Sequence, residues 1–270
     1  MQKRDARNRS AIGKDVGEAD RVYGLMPVLE ALRAGHRTIE HITIAEGAKH
    51  ERLCELLDLA KEARVPVRRA RRIEIERFCG GMTHQGVVAK IAAARYTDVD
   101  ELLNDLAARV GTDQPPLALA LDGIEDPRNL GAILRTAECA GVHGVFTTER
   151  RAVGLTETVA KTAAGALEYV RVARVTNLSR LIERFKESNI WAVGTAADAP
   201  LEYTEWDWKQ ATVVFLGSEG VGLHRLVRER CDALVRIPML GHLESLNVAV
   251  AAGVLLYEAQ RQRITANKTF

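Results

Sequence analysis

Hydrophobic and polar positions along this chain fall into two regimes that meet near a proline pair, Pro115 and Pro116. Upstream, residues 22–34 and 49–63 repeat apolar positions at helical intervals, the second with Leu53, Leu56, Leu57 and Ala60 on one face. Residues 71–78 read as a further helix, stopped by Gly80 and Gly81. Segments 39–45, 65–67 and 86–91 read as strands, so residues 21–96 are expected to form a compact αβαβαβ unit. Residues 97–116 are expected to link this unit to the rest, with one helical run at 99–109. Downstream, LALALD (117–122), GVFTT (144–148), VRVARV (170–175), IWAVGTA (190–196), TVVFLG (212–217) and ALVRIP (233–238) are strand-like. Helical spacing fills the gaps at 129–140, 156–168, 177–188, 222–230 and 246–261. Apolar strands alternating with helices predict an α/β fold around a parallel sheet covered on both faces. Such sheets hold ligands at the carboxyl ends of their strands, so polar residues that follow strands are the ones to watch.

The bulk numbers narrow the class without deciding it. The 270 residues are 47% hydrophobic and 27% charged, as in an ordinary globular protein. A net charge of +2 conceals clustering: Arg68, Arg69, Arg71 and Arg72 lie in one run, and Lys3, Arg4, Arg7, Arg9 and Lys14 crowd the polar segment 1–20, expected as a flexible tail. A basic patch on a near-neutral chain suits an anionic partner met by one face, although a solvated helix face accounts for a single run equally well. The four cysteines form no C-x-x-C pair, which argues against a zinc ribbon, a redox dithiol or an iron–sulfur cluster, and no ligand cluster calls for a metal. No apolar run reaches the roughly 18 residues of a membrane span, and no signal-peptide core follows the basic start. Asp5, Asp15, Glu18 and Asp20 count against an organellar transit peptide, so the expected compartment is the cytoplasm.

Three polar motifs follow strands. In LDGIEDPRNLGAILRTAECAGV (121–142), Asn129 is a candidate helix cap, and Arg128 and Arg135 share one helix face. Spacing alone leaves Arg135 either a surface arginine or a guanidinium set to grip a phosphate or carboxylate. In FLGSEGVGL (215–223) the glycines permit a tight turn with bare backbone N–H groups. The order of residues is neither a P-loop, nor G-x-G-x-x-G, nor the G-x-S-x-G elbow. Glu219 in that turn needs a partner, which Asn129 or Arg135 could supply. In IPMLGHLESLNVAVAAGVLLYEAQRQR (237–263), Glu244, Ser245 and Asn247 stand where a polar loop becomes an apolar helix. Capping explains one of them; a concave site at the helix start explains the whole loop.

Taken together and in this order, the motifs resemble the three signatures of the SpoU/TrmH family of RNA ribose 2′-O-methyltransferases: N-x-x-x-x-x-R at Asn129 to Arg135, G-x-E-x-x-G at Gly217, Glu219 and Gly222, and S-L-N-V at Ser245 to Val248. Residues 21–96 resemble the ribosomal-protein-like substrate domain of the RlmB-type subgroup, which acts on a guanosine of 23S rRNA, through Tyr23, Gly24, His84, Gln85 and Gly86. Glu244 departs from that pattern, where relatives carry a small hydroxyl residue. The resemblance implies a catalytic domain at 117–264 followed by a tail at 265–270. It also implies a C-terminal trefoil knot and a homodimer formed through the catalytic domain with the last helix in its interface.

The same resemblance implies S-adenosylmethionine as methyl donor, held by backbone near Leu216, Gly217, Ile237, Met239 and Leu246. Arg135 would act at the ribose, with Asn129, Glu219, Ser245 and Asn247 fixing it and the hydroxyl. RNA would meet Arg68, Arg69, Arg71, Arg72, His84 and Arg128. The alternatives are the same chemistry on tRNA or another rRNA nucleotide, including resistance-type methylation, a catalytically silent RNA-binding protein on this scaffold, and an unrelated α/β nucleotide-binding enzyme, which the missing phosphate-loop signatures disfavour.

Overall fold

The computed structural model describes residues 20–79 and 83–267. The expected tail at 1–20 therefore lies outside the described residues except for Asp20, as do Gly80 and Gly81.

The small domain opens with a strand, β1 (Asp20–Tyr23), where helix was expected from residue 22. Gly24 sits at φ 100°, a conformation no helix accommodates, so α1 (Leu25–Ala34) starts only after it. Val22 and Tyr23 are buried by pairing with a later strand rather than by helix packing. There follow β2 (Ile39–Ala45), α2 (Leu53–Glu62), β3 (Val67–Ala70), α3 (Arg72–Cys79) and β4 (Val87–Ile91). The sheet order is β1-β4-β2-β3, with β4 antiparallel to both neighbours and β3 parallel to β2. Val28, Leu29, Ile42, Ile44, Leu56 and Ile91 form its fully buried centre.

Residues 97–116, expected as a linker, contain α4 (Val99–Ala107), capped by Asp98. This helix belongs to the larger sheet. Leu102, Leu103 and Leu106 are buried on it, and a Cβ at Gly144 would stand 2.8 Å from Leu102 Cδ1, so any larger residue there would have to push the leucine aside.

That sheet contains β5 (Leu117–Asp122), β6 (Gly144–Thr148), β7 (Val172–Val175), β8 (Trp191–Thr195), β9 (Leu201–Glu202), β10 (Thr212–Gly217) and β11 (Ala233–Arg236). Its order is β7-β6-β5-β10-β8-β11-β9 and every pair is parallel. Strand period sorts the side chains onto two layers. Leu117, Leu119 and Leu121 of β5 with Val214 and Leu216 of β10 face α5 (Pro127–Cys139) and α9 (Val248–Asn267). Ala118 and Ala120 with Val213 and Phe215 face α4 and α7 (Leu178–Glu187), where Phe185 meets Phe146 and Phe215 edge to face. Short α8 (Arg225–Arg230) adds Val227 to that second layer.

One helix expected at 156–168 is broken into α6 (Glu157–Ala163) and a 3-10 turn, Ala166–Glu168. Ala164 and Gly165 take positive φ, and a Cβ at Gly165 would stand 2.6 Å from Glu30 Cβ. The break is thus where α1 of the small domain docks. Tyr23 donates to Glu157 (2.9 Å), Tyr169 donates to Glu30 (2.8 Å), and half-buried Arg37 pairs with buried Glu168 (2.8 Å). Burial and the Glu157 carboxylate push the Tyr23 phenol up to about 12, so it stays a donor across the physiological range.

Candidate active site

The carboxyl ends of β5, β10 and β11 and the first turns of α5 and α9 meet on one side of the larger sheet. β5 and β10 run side by side, Gly217 paired with Asp122 at their ends. β10 continues into the glycine turn. Gly222 N donates to Ser218 O (2.9 Å), and Gly220 and Gly222 adopt φ of 82° and 72°. The turn folds back so tightly that a Cβ at Gly217 would lie 2.0 Å from the carbonyl carbon of Gly222.

Glu219 projects from this turn into a three-residue network. Asn247 Nδ2 donates to Glu219 Oε1 (2.7 Å) and to Asn129 Oδ1 (2.9 Å), and Asn129 Nδ2 donates to the same Glu219 oxygen (3.0 Å). The Asn247 carbonyl oxygen meanwhile accepts from Ala249 N (3.0 Å) and Val250 N (3.3 Å), capping α9. Capping and site-building are therefore the work of one residue. Asn129 is not the cap of α5: Asp126 accepts from Arg128 N (2.7 Å) and Pro127 takes the first helical position, as proline prefers. Asn129 is left in the first turn, its amide turned toward Glu219.

Beside the network lies a cavity of about 530 Å³, within the range of small-molecule sites. Leu216, Gly217, Ile237, Met239 and Leu246 all line it, as do Ser245 and Glu244. Its wall is largely apolar side chain and bare backbone. Of its charged groups, Arg228 is tied to Asp198 (2.8 Å) and Arg236 to Glu202 (3.2 Å), so its arginines are compensated. Glu244 has no hydrogen bond or ion pair among the described residues. A ligand with an apolar body, groups that read backbone, and positive charge fits this lining; S-adenosylmethionine has all three.

Arg135 is not brought to the cavity. Six residues beyond Asn129, it lies about 9 Å further along α5 and roughly a third of a turn around it. It is exposed and makes no hydrogen bond or ion pair among the described residues. The basic run divides: Arg68 and Arg69 are exposed on edge strand β3, while Arg71 and Arg72 are tied to Glu74 (2.7 Å) and Glu76 (3.3 Å). Arg128 is exposed. His84 is 5% exposed, and its Nδ1 accepts from Gly86 N (3.1 Å).

Residues 116–257 match the SpoU rRNA Methylase family, and residues 21–97 match the substrate-binding domain of RNA 2′-O ribose methyltransferases. The chain belongs to the SpoU rRNA methylase family. It is 41% identical over 253 residues to the 23S rRNA (guanosine-2′-O-)-methyltransferase RlmB of Pseudomonas syringae pv. tomato, covering 94% of this chain and 100% of the relative. A TrmH family relative, YacO of Bacillus subtilis, is 43% identical over 244 residues, covering 90% of this chain and 96% of its own. Among solved structures, AviRb of Streptomyces viridochromogenes in complex with AdoMet superposes with a TM-score of 0.74 at 26% identity, covering 91% of this chain and 90% of that one. As a member of this family the chain is a methyltransferase that uses S-adenosylmethionine.

Sequence reading did not single out Asp122, Asp198, Arg228 or His224. Asp122 carried a signal: it is the one charged residue of LALALD, and it is 4% exposed.

Proposed function

We propose that this chain methylates the ribose 2′-hydroxyl of a guanosine in 23S rRNA. The observation that carries the reading is the Asn129–Glu219–Asn247 network standing at the mouth of a cavity whose lining suits the donor. S-adenosylmethionine supplies a methyl group already activated on sulfonium, so the protein's work is alignment and proton handling. Backbone at Leu216, Gly217, Ile237, Met239 and Leu246 would hold the donor. Both amides of the network converge on Glu219 Oε1, leaving Oε2 to accept from a hydroxyl. Ser245, also on the cavity wall, adds a second polar contact for that hydroxyl.

Arg135 is assigned to the RNA side. A guanidinium is a poor base, and its value lies in gripping the neighbouring phosphate or the emerging alkoxide. With no hydrogen bond or ion pair among the described residues, the guanidinium is available for that contact. On the small domain, Arg68 and Arg69, without an ion pair among the described residues, would track the RNA backbone, joined by Arg128. Arg71 and Arg72 contribute less because they carry their own acids. His84 shapes its loop from inside.

The knot and the dimer belong to the same reading. Supporting a knot, the chain leaves β11, passes the glycine turn at the cavity, and returns across the sheet to pack α9 on α5. Supporting a dimer, α9 turns Val250, Tyr257 and Ile264 outward at 53%, 55% and 52% exposure, an apolar stripe left uncovered by the described residues. A relative mass of one chain in sedimentation equilibrium would reject the dimer.

The target is tested by incubating the purified chain with S-adenosylmethionine and either 23S rRNA or tRNA, then mapping ribose methylation. A single guanosine in 23S rRNA is the expected result. Methylation confined to tRNA, or none on either RNA with intact donor binding, overturns it.

A further inference from the structure

His224 lies outside the cavity lining and outside the three family signatures, yet it makes two bonds to one buried carboxylate. Its backbone N donates to Asp122 Oδ2 (2.8 Å) and its ring Nδ1 lies 2.9 Å from Asp122 Oδ1. Asp122 is 4% exposed at the end of β5, so both of its oxygens are spent on a single residue. A buried carboxylate with two charge-assisted bonds is held firmly, and so is what it holds.

The placement gives this pair its meaning. The chain passes Asp122 twice. It leaves β10 at Gly217, directly alongside Asp122 in register, makes the excursion through Ser218, Glu219 and Gly222, and comes back to Asp122 at His224. Within the excursion the backbone has glycines at positive φ and one internal bond, from Gly222 N to Ser218 O. Four residues beyond Asp122 the chain reaches Asp126, the cap of α5, and then Asn129. One carboxylate is thus the common root of the segment that carries Glu219 and the segment that carries Asn129. The packing around it is close: a Cβ at Gly123, which adopts φ 78°, would stand 3.6 Å from Ser218 Cβ and 3.8 Å from His224 Cε1.

We infer that His224 is a positioning residue, whose ring bond to Asp122 closes the glycine turn and so fixes Glu219 against Asn129 and Asn247 and sets the cavity wall. The backbone bond survives any substitution but proline at this position; the ring bond does not. The ring is 45% exposed, so its loss removes little packing. Asparagine places its amide nitrogen where the imidazole Nδ1 stands and can donate to the same oxygen.

The inference rests on the cavity being the donor site and is tested on the full chain with His224→Ala and His224→Asn. Turnover of 23S rRNA at saturating donor should fall about tenfold in His224→Ala and recover to within about threefold of wild type in His224→Asn. Donor Kd from titration calorimetry should rise about threefold in His224→Ala and stay at the wild-type value in His224→Asn, with the two melting temperatures alike. Wild-type turnover and donor Kd in His224→Ala, or equal losses in both variants, would overturn the assignment. Absence of methylation by the wild type on every RNA offered would strike the target reading instead, with the clamp still read in the donor Kd.

Discussion

Asn247 gives its amide nitrogen to Glu219 at 2.7 Å and its amide oxygen to the first free N–H groups of α9. One side chain therefore couples the start of the last helix to the acid of the glycine turn. The two jobs separate on mutation. Asn247→Asp keeps an oxygen for the cap but sets a carboxylate against Glu219. Asn247→Ala loses both contacts, with a cap cost of about 1 kcal/mol. Thermal melts should rank the aspartate above the alanine, while methyl transfer should be severely reduced in both. An aspartate variant with wild-type turnover would show that the bond to Glu219 is dispensable.

Gly217 has no room for a methyl group. Its Cβ would meet the Gly222 carbonyl carbon at 2.0 Å and Leu223 N at 2.2 Å, all backbone. Gly217→Ala should open the turn and cost about 3 kcal/mol or more. Gly241, with nothing within 4 Å of its Cβ position, is the control and should tolerate alanine. Calorimetric titration with S-adenosylmethionine should find no binding in the first variant and near-normal affinity in the second. Normal donor affinity in Gly217→Ala would be incompatible with the packing described.

Arg135 is exposed and unpartnered among the described residues, so the fold does not lean on it. Arg135→Ala should shift stability by no more than about 0.5 kcal/mol, in line with surface substitutions. Donor Kd should be unchanged, and turnover should drop by about a hundredfold or more. Ordinary kinetics in this variant would remove Arg135 from the chemistry.

Arg68 and Arg69 make no ion pair among the described residues, whereas Arg71 and Arg72 do. The double variant Arg68→Ala, Arg69→Ala should lower rRNA affinity and flatten the plot of log affinity against log salt, since fewer phosphates are neutralised. The corresponding change at Arg71 and Arg72 should do less to both. Equal slopes for the two double variants, measured by filter binding, would show that the edge strand has no privileged role.

His143 provides a pH test of the fold. Leu117 N donates to its Nδ1 (3.1 Å) at the start of β5. Burial first, and the charge of Arg109 second, hold its pKa below the usual 6.5. The folded chain thus resists a proton that the unfolded chain accepts. Stability is complete above about pH 6.5 and declines as the pH falls below that value toward the depressed folded pKa. His143→Gln keeps an acceptor for Leu117 and removes the titration. Its melting temperature should fall less than that of the wild type between pH 7.5 and 5.5; parallel curves would exonerate His143.

Much of this architecture was legible because burial writes a period into the sequence. β5, β6, β8 and β10 read as apolar runs because both of their faces are covered, and α5 and α7 cross over before β6 and β8, whereas β8 reaches β10 through β9 without a helix. What escaped reading was decided by backbone or by distance. Val22 and Tyr23 fit a helical pattern until Gly24, at φ 100°, ends it, and β3 began later than expected because its register is set by Ile42 across the ladder. The break at Gly165 answers to Glu30 of the other domain, which no local pattern encodes. At the site, motif order brought out Asn129, Glu219 and Asn247, whereas His224 looked like any surface histidine until its aspartate, 102 positions away, came beside it.

The place of Leu102 over Gly144 relocates the seam between the two modules. A chimaera that grafts a foreign specificity module at the proline pair would strip α4 from the catalytic half and leave a bald strip along β6. Grafting ahead of Thr97, which is hydrogen-bonded to Val172, keeps that cover in place. Such a transplant must also bring an arginine to meet Glu168, or strand a carboxylate in the dry joint between the halves.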